Sequence, residues 1–285
     1  MFWYFGYGSN MDLTALKAKG VEPLRSCRAQ LPDWQLRFNV RHFFEHEGGV
    51  ANIEPSPKTG KAVHGVLHLC QDEQLALLDR AEACGHGYDR VEVEVRTASG
   101  PRAACAYIGL PAFLDENCRP TRRYLNILLR GGRQAQLDDA YLNWLEAQPI
   151  HCNSPTRPFR PPTGDFPSFD AESLRRYPLH TALAGSVFDM SGARPQHEFL
   201  KDLFGGRDMT LYHLQRLDSS QGTETLDDVR LERYSKTQRQ YLDDYLHAYA
   251  QEYVYAGHFR YDVPSDRGAV PRVRLDLTHP QKEAG

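Results

Sequence analysis

Two short stretches of the sequence carry residue types that can do chemistry with neither a metal nor a cofactor. The chain opens with MFWYFGYGSN, in which aromatic residues lead into Gly8-Ser9-Asn10. A glycine turn between a strand and a helix presents successive backbone N–H groups, which can bind a carboxylate or a developing oxyanion. The alternative is that Asn10 caps the helix that begins near Asp12, and the local sequence favours the two interpretations equally.

The second stretch is LLDRAEACGHGYDRVEVEV at 77–95, which contains Glu82 at the end of a helical pattern. A carboxylate is unfavourable at a helix C-terminus because the helix dipole is negative there, so this placement indicates a role other than helix stabilisation. Because Glu82 stands between two alanines, we expect partial desolvation to raise its pKa toward neutrality. Such a group can accept a proton at cellular pH and return it later. A solvated surface carboxylate is the alternative, and Cys84 is better interpreted as a bystander than as a nucleophile.

A set of strands and helices must position these two stretches. Alternating or short apolar runs predict strands at 2–7, 34–41, 49–53, 62–69, 91–95 and 103–108. Helical patterns occupy 12–19, 72–81, 122–130 and 138–147. Strands joined mainly by hairpin-length turns, with a few helices, predict an α+β fold around a curved or barrel-like sheet. The sequence contains neither GxGxxG nor GxxxxGK[ST], so no nucleotide-binding loop is predicted.

A proline-rich stretch divides the chain. Seven prolines lie between 149 and 178, a density that favours an extended connector. We therefore predict a first domain at 1–150, a linker at 151–174, a second domain at 175–265 and a tail at 266–285. All six cysteines fall at or before Cys152 and none forms a CxxC pair, which is typical of reduced packing thiols.

Composition and charge exclude several classes of protein. The 285 residues are 41% hydrophobic and 25% charged with a net charge of −3, which is ordinary for a globular protein without a basic surface for nucleic acid. Neither a signal peptide nor a membrane-spanning window is apparent, so we predict a cytoplasmic protein with no nucleic-acid or membrane partner. HFFEH at 42–46 matches the inverted zincin pattern, but it trails a strand and runs into Gly48-Gly49. His64 and His68 stand about 13 Å apart along a strand. We predict no metal site.

At this point the sequence resembles a known family, the γ-glutamylcyclotransferases. The resemblance is carried by YFGYGSNM at 4–11, GGVANIEPSP at 48–57, VHGVLHL at 63–69, the 77–95 stretch and PTRRYLNILLRGG at 120–132. It implies an α+β fold built on a mixed β-barrel with helices. It also implies cyclisation of a γ-glutamyl peptide or amine, with release of 5-oxoproline and the free amine and with no cofactor required.

The resemblance further implies roles for individual residues. Glu82 matches the catalytic glutamate. The residues matching substrate-binding positions are Tyr4, Phe5, Gly6, Tyr7, Gly8, Ser9, Asn10, Tyr88, Tyr107 and Tyr124. The attack is intramolecular, so proximity supplies much of the acceleration and no enzyme nucleophile is needed. Glu82 would move the proton, and the backbone donors of Gly8 and Ser9 would stabilise the oxyanion.

The second half resembles the cytochrome b5-like fold more weakly, through PLHTALAGSVFDMSG at 178–192, LFGGRDMT at 203–210 and the helix-forming run within 231–259. This resemblance implies a smaller α+β domain, with a helix at 238–249. The HPGG haem motif is missing, which leaves His197, Tyr212 or His213 as the candidate haem ligands. The alternatives are a module without a cofactor, or one that covers the pocket of the first domain.

Two interpretations of function therefore stand beside the main one. The first alternative is a tailoring enzyme that removes a γ-glutamyl protecting group from a biosynthetic intermediate. The second is a haem- or small-molecule-binding protein whose first domain is a passive scaffold. The sequence does not indicate the γ-glutamyl substrate or the oligomeric state.

Overall fold

A computed structural model of the chain describes residues 1–153 and 156–261. Its strands are β1 Phe2–Gly6, β2 Arg25–Pro32, β3 Trp34–Arg41, β4 Gly49–Pro55, β5 Ala62–Cys70, β6 Tyr88–Thr97, β7 Gly100–Gly109, β8 Ser168–Phe169, β9 His180–Leu183, β10 Ser186–Asp189, β11 Arg207–Asp208 and β12 Val254–Phe259. Its α-helices are α1 Leu13–Ala18, α2 Leu75–Ala81, α3 Arg122–Gln134, α4 Asp139–Glu146, α5 Ala171–Leu174, α6 Glu198–Phe204, α7 Thr210–Gln215, α8 Leu226–Arg230 and α9 Lys236–Glu252. The tail predicted at 266–285 lies outside the described residues.

The first half folds around a closed barrel with strand order β1-β5-β2-β6-β7, and β3 and β4 form a separate two-stranded sheet. β1 is antiparallel to β5 and parallel to β7, so the barrel is mixed. Apolar side chains fill its interior and α3 packs against the same core, which includes Phe5, Leu31, Val63, Leu67, Val95, Ala106, Leu125 and Leu128. The predicted α+β fold with a barrel-like sheet is confirmed.

One barrel strand, β2, has no counterpart among the predicted elements. Its sequence RSCRAQLP exposes most of its residues, and only Ala29 and Leu31 are buried. Cys27, Ala29 and Leu31 alternate with polar residues, but this run is short and weakly apolar, and long-range pairing with β5 and β6 fixes the strand. The helix predicted at 72–81 begins as a 3₁₀ turn, Asp72–Gln74, and becomes α-helical at Leu75.

The second half builds its own five-stranded sheet in the order β11-β9-β10-β12-β8. The longest helix, α9, packs its apolar stripe into the core beside this sheet. All five residues predicted for that stripe are buried: Tyr241, Leu242, Tyr245, Leu246 and Tyr249. In the part of the chain that the structure describes, no helix is long and apolar enough to span a bilayer.

The proline-rich stretch is packed against the second half. Phe159 contacts Phe188, and its backbone N–H donates to Asp243 at 2.9 Å. Strand β8, near the end of the predicted linker, pairs with β12 in the second sheet. The domain boundaries at 150 and 175 remain predictions, but the last residues of the predicted linker contribute to the second sheet.

The two halves are joined by a buried charged group. Glu47, only 2% exposed, forms an ion pair with Arg123 and accepts a hydrogen bond of 2.7 Å from the Tyr245 hydroxyl. Burial raises the pKa of Glu47, but the Arg123 guanidinium outweighs it and holds that pKa well below its usual range. Nearby, the ring of Phe44 inserts into the core of the second half and stacks on Tyr249. These contacts fix the second half against the barrel.

The Tyr245 hydroxyl is the second-half partner of this carboxylate. We expect Tyr245→Phe to lower the free energy of unfolding by about 1.5–3 kcal/mol, because it leaves a buried carboxylate oxygen short of a hydrogen bond. Thermal and denaturant unfolding would measure the loss. Tyr177→Phe is the matched control, since that side chain is 48% exposed. Equal stability of the two variants would contradict a structural role for the Tyr245–Glu47 bond.

Candidate active site

Glu82 is presented by the end of α2. It is the C-cap residue of that helix, and its N–H still donates to the Leu78 carbonyl at 2.9 Å. The next residue, Ala83, has a φ of 51°. This left-handed conformation ends the helix and is unfavourable for a residue with a Cβ. The chain therefore accepts local backbone strain where it turns the carboxylate inward, a placement typical of functional sites.

The Glu82 carboxylate is held on one oxygen. Its Oε1 accepts hydrogen bonds from the Asn10 amide at 2.9 Å and from Lys19 Nζ at 2.7 Å. Lys19 also donates to Asn10 Oδ1 at 2.7 Å, and Asn10 donates to the Tyr4 hydroxyl at 2.7 Å. No hydrogen bond from the described residues reaches Oε2. One oxygen is thus fixed in place while the other is available to a ligand.

The electrostatics of this group correct the sequence-based expectation. Burial does raise the pKa of Glu82 and is the largest single influence on it. The charge and hydrogen bond of Lys19, with the hydrogen bond of Asn10, outweigh burial, and the pKa is lowered. The expectation of a raised pKa was therefore wrong, because the sequence gives no sign that Lys19 lies beside Glu82. Burial in turn lowers the pKa of Lys19, and Glu82 opposes that shift.

The amino-terminal loop runs from β1 into a 3₁₀ turn, Ser9–Met11, and then into α1. The N-cap of α1 is Asp12, whose side chain accepts from Ala15 N at 2.9 Å. Asn10 instead directs its side chain toward Glu82, so the interpretation of Asn10 as the helix cap was wrong. A Cβ at Gly8 would lie 2.9 Å from the Tyr124 hydroxyl, so a larger residue there would displace a side chain of the site.

A cavity of about 290 Å³ opens between this loop and Glu82. It is lined by Tyr4, Tyr7, Gly8, Ser9, Asn10, Ala51, Glu82, Tyr88, Tyr107 and Tyr124. Two of the predicted substrate-binding residues, Phe5 and Gly6, do not line it. Neighbouring residues of a strand face opposite ways, so Phe5 points into the barrel core, where it is fully buried. Gly6 has no side chain, and its position abuts the Asn10 carbonyl.

The tyrosines around the cavity are held by hydrogen bonds. The Tyr88 hydroxyl donates to the Ala51 carbonyl at 2.7 Å, and the Tyr124 hydroxyl accepts from Ala51 N at 3.1 Å. The Tyr107 hydroxyl donates to Asp79 at 2.6 Å. Burial raises the pKa of Tyr124 to about 12 and that of Tyr88 well above its ordinary value. Both are therefore neutral hydroxyl groups that can orient a polar ligand.

Sequence reasoning missed Lys19 and Ala51. Lys19 follows α1 and precedes Gly20, a position where a lysine ordinarily just complements the helix dipole. Ala51 contributes its backbone N–H and carbonyl groups, which nearly every residue type has, so the sequence gives no sign of this role. Only the fold brings these positions to the loop, since β4 carries Ala51 beside α3 and α1 carries Lys19 beside the end of α2.

The histidines and cysteines of the described residues do not gather into a metal-binding group. His68 is fully buried, with its ring nitrogens hydrogen-bonded to Ser26 at 2.7 Å and to the Asn10 carbonyl at 2.9 Å. Burial lowers the pKa of His42 to about 3. Within residues 1–153 and 156–261 no group of three His, Cys, Asp or Glu side chains could hold a metal. All six cysteines are free, and burial raises the pKa of Cys84, so it is not an activated thiolate.

The candidate haem ligands do not fit a haem. His197 is buried with one ring nitrogen 3.0 Å from the Tyr253 hydroxyl and the other 2.8 Å from the Phe43 carbonyl. Tyr212 accepts a hydrogen bond from Arg216 at 2.6 Å. His213 is 2% exposed, with its Nε2 2.9 Å from the Tyr249 hydroxyl and its ring 4.0 Å from that of Tyr245. His197 has no free ring nitrogen, and the Nδ1 of His213, although it has no hydrogen-bond partner among the described residues, is buried from solvent.

Fold and site together define a class of protein: a closed mixed barrel that holds a partly buried, hydrogen-bonded carboxylate against a glycine loop and a tyrosine-lined cavity. Residues 4–124 match the family described as Gamma-glutamyl cyclotransferase, AIG2-like, and this part of the chain is a domain of that family. The family resemblance predicted for the first half is thereby confirmed. Barrel, loop, Glu82 and Tyr124 all lie within the matched residues.

Several known proteins are similar to this chain. The Gamma-glutamyl cyclotransferase gliK of Aspergillus fumigatus is 25% identical over 171 residues, which cover 52% of this chain and 63% of the relative. The Gamma-glutamyl cyclotransferase verK of Clonostachys rogersoniana is 32% identical over 107 residues, 32% of this chain and 60% of the relative. A solved structure named Gamma-glutamyl cyclotransferase is 27% identical over 54% of this chain and 90% of that one, with a TM-score of 0.47.

The chain thus spans less than two thirds of the length of these curated relatives. These matches do not show the cytochrome b5-like fold predicted for the second half.

Proposed function

We propose that this protein cyclises the γ-glutamyl group of a peptide or amine, forming 5-oxoproline and releasing the free amine or amino acid. One observation carries the proposal: Glu82 presents an unbonded carboxylate oxygen in the cavity that also contains the Gly8-Ser9 loop. The family of residues 4–124 and the names of its relatives support the same chemistry.

The proposed reaction forms one bond and breaks another. The α-ammonium of the γ-glutamyl group gives a proton to Glu82, and the neutral nitrogen attacks the γ-carbonyl carbon to close a five-membered ring. As the amide C–N bond breaks, Glu82 returns its proton to the departing nitrogen. The ring nitrogen still carries one proton too many for a lactam, and this second proton passes to the released amine, which leaves as an ammonium. Because the nucleophile belongs to the substrate, holding the chain in a folded conformation supplies much of the acceleration.

The lowered pKa of Glu82 suits this role in a particular way. The carboxylate is ionised at neutral pH and so is ready to accept a proton. Glu82 is a weak base, but burial and the nearby charge of Lys19 also lower the pKa of a substrate ammonium bound in the cavity. The pKa values of the proton donor and the proton acceptor are therefore both lowered. The proton transfer is then less unfavourable than it would be in water.

The loop and the tyrosines complete the proposed machinery. The N–H groups of Gly8 and Ser9 stand at the start of a helical turn, where no acceptor within the helix is available to them. We assign them to the oxyanion that forms on the γ-carbonyl oxygen. The hydroxyl groups of Tyr88 and Tyr124 lie on the same cavity wall, where they position the substrate.

A panel of γ-glutamyl dipeptides and γ-glutamyl amines tests the proposal. We expect 5-oxoproline to appear with at least one member, together with a stoichiometric amount of the free amine. Chromatography of both products is the measurement. A tailoring enzyme would act on a narrow subset of the panel. A purified protein with a Soret band and no product from any member would favour the binding protein with a passive scaffold instead.

A further inference from the structure

The site continues into a second, larger space. A cleft of about 1090 Å³, a volume that includes space open to solvent, adjoins the small cavity and shares Ser9, Glu82, Tyr88 and Tyr124 with it. Its far walls come from the second half of the chain, through α6, α7 and α9. If the small cavity holds the γ-glutamyl group, as proposed above, the larger cleft lies where the departing amine must sit. The leaving-group side of the site is therefore built by the second half.

The walls of this cleft are mainly apolar and aromatic. The β3–β4 connection and α6 supply Phe43, Phe44, Phe199, Leu200, Leu203 and Phe204. The rings of Phe43 and Phe199 lie 4.4 Å apart and make one continuous surface. Pockets of this composition take up large apolar groups, since burial of apolar area provides the binding free energy. The cleft is therefore suited to an amine that carries a bulky apolar or aromatic side chain.

One cation in the cleft has no carboxylate partner. The Arg216 guanidinium donates to the Tyr212 hydroxyl at 2.6 Å and lies 4.9 Å over that ring. Among the described residues no carboxylate lies within 4.0 Å of it, although Arg123 and Lys19 in the same cleft are each paired with a glutamate. Arg216 is partly buried, and a cation withdrawn from water without a counterion is unfavourable. A ligand carboxylate would satisfy it with charge-assisted hydrogen bonds.

Arg216 lines the same cleft as Glu82 and Lys19. Its positive charge lowers the pKa of both groups. It follows the end of α7, while Glu82 ends α2, so the two halves of the chain contribute a cation and a carboxylate to one cleft. In an α-amino acid the carboxylate and the amine are attached to the same carbon. A released α-amino acid would therefore carry a carboxylate close to the departing nitrogen.

We propose that the released group is an α-amino acid with a large apolar or aromatic side chain, whose carboxylate is bound by Arg216 and whose side chain lies on the phenylalanine wall. This inference rests on the proposed cyclisation and names its substrate class. It makes Arg216 a specificity-determining residue supplied by the second half.

Two substrates that differ only in the carboxylate test the proposal. γ-Glutamyl-phenylalanine carries it, and the 2-phenylethylamide of the γ-carboxyl group of glutamate lacks it. For Arg216→Met we expect kcat/KM to fall about 10- to 100-fold with the dipeptide and to fall no more than about threefold with the amide. Comparing the two substrates cancels any effect of Arg216 on Glu82. The wild-type protein should also prefer γ-glutamyl-phenylalanine to γ-glutamyl-glycine by at least about tenfold.

Arg176→Met is the matched control, because that side chain is 71% exposed and remote from the cleft. Equal losses with both substrates, or no loss with either, would overturn the assignment of Arg216 to the leaving group. Should the Arg216→Met variant be unstable, Arg216→Lys retains the charge and should keep the preference for the dipeptide in part.

A binding measurement separates this inference from the proposed reaction. Titration calorimetry with free phenylalanine and 2-phenylethylamine needs no turnover. We expect phenylalanine to bind the wild-type protein and to bind Arg216→Met at least about tenfold more weakly. If no 5-oxoproline forms from any substrate but this difference in binding persists, the proposed reaction fails and the Arg216 site stands. Absence of the binding difference overturns the Arg216 site.

Discussion

Glu82→Gln should bind γ-glutamyl substrates and release at least about 10³-fold less 5-oxoproline than the wild-type protein. General acid–base catalysis contributes about 10²–10⁴ to a rate, and Glu82 is proposed to act first as base and then as acid. The glutamine amide oxygen can still accept the hydrogen bonds that Asn10 and Lys19 donate to Oε1. The change therefore removes proton transfer while leaving most of the geometry in place.

The measurement is single-turnover formation of 5-oxoproline, combined with calorimetric binding of the substrate. Glu73→Gln is the matched control, since that carboxylate lies in the turn before α2 and is exposed. It should retain wild-type turnover. Turnover of Glu82→Gln within tenfold of the wild type would remove the basis of the mechanism.

Lys19→Met should have the second-largest effect, acting on both stability and pH dependence. Without Lys19, burial becomes the dominant influence and the pKa of Glu82 rises. In the wild type the depressed pKa contributes stability above the unfolded-state pKa, which is lost as the pH falls through the folded-state pKa. In the variant the folded-state pKa of Glu82 lies above the unfolded-state pKa, so its ionisation lowers stability as the pH rises. We expect a loss of about 3–5 kcal/mol at neutral and higher pH, diminishing toward acid as Glu82 takes up a proton.

The same substitution should move the acidic limb of the kcat/KM profile to higher pH, because a larger fraction of Glu82 is protonated at any given pH. Unfolding across a pH series and a pH–rate profile measure the two effects. Lys17→Met, two residues earlier and exposed, is the control and should change neither. The double variant Lys19→Met/Glu82→Gln should recover stability without turnover, since it removes both charges. An unshifted acidic limb in Lys19→Met would show that Lys19 does not set the ionisation of Glu82.

The predictions about the second half concern specificity and assembly. Tyr245 and Arg123 hold Glu47 where the halves meet, and Arg216 lines the same cleft as Glu82. The earlier interpretation of the second half as a module that covers the pocket of the first is the one that these contacts favour. A haem-binding role gains no support from His197 or Tyr212, whose polar atoms are already occupied.

Much of the first half could be predicted from local patterns. The strand at 34–41 alternates apolar and polar residues because one face meets the core, and the short apolar run at 62–69 is bounded by turn residues; both patterns are local properties of the sequence. The apolar stripe of α9 was found for the same reason. β2 was missed because its pairing partners, rather than its own side chains, make it a strand.

The sequence by itself determined the barrel-type fold of the first half, and it singled out Glu82 and the Gly8-Ser9 loop as the centre of the proposed site. Their types and order along the chain are specific even when read without coordinates. The tertiary structure alone decided the ionisation of Glu82 and the composition of the leaving-group side. Both depend on residues far apart in sequence: Lys19 reaches Glu82 across 63 positions, and Arg216 comes from the other half of the chain. A pKa depends on the charges within a few ångströms of the group, and only folding brings residues that are distant in sequence that close together.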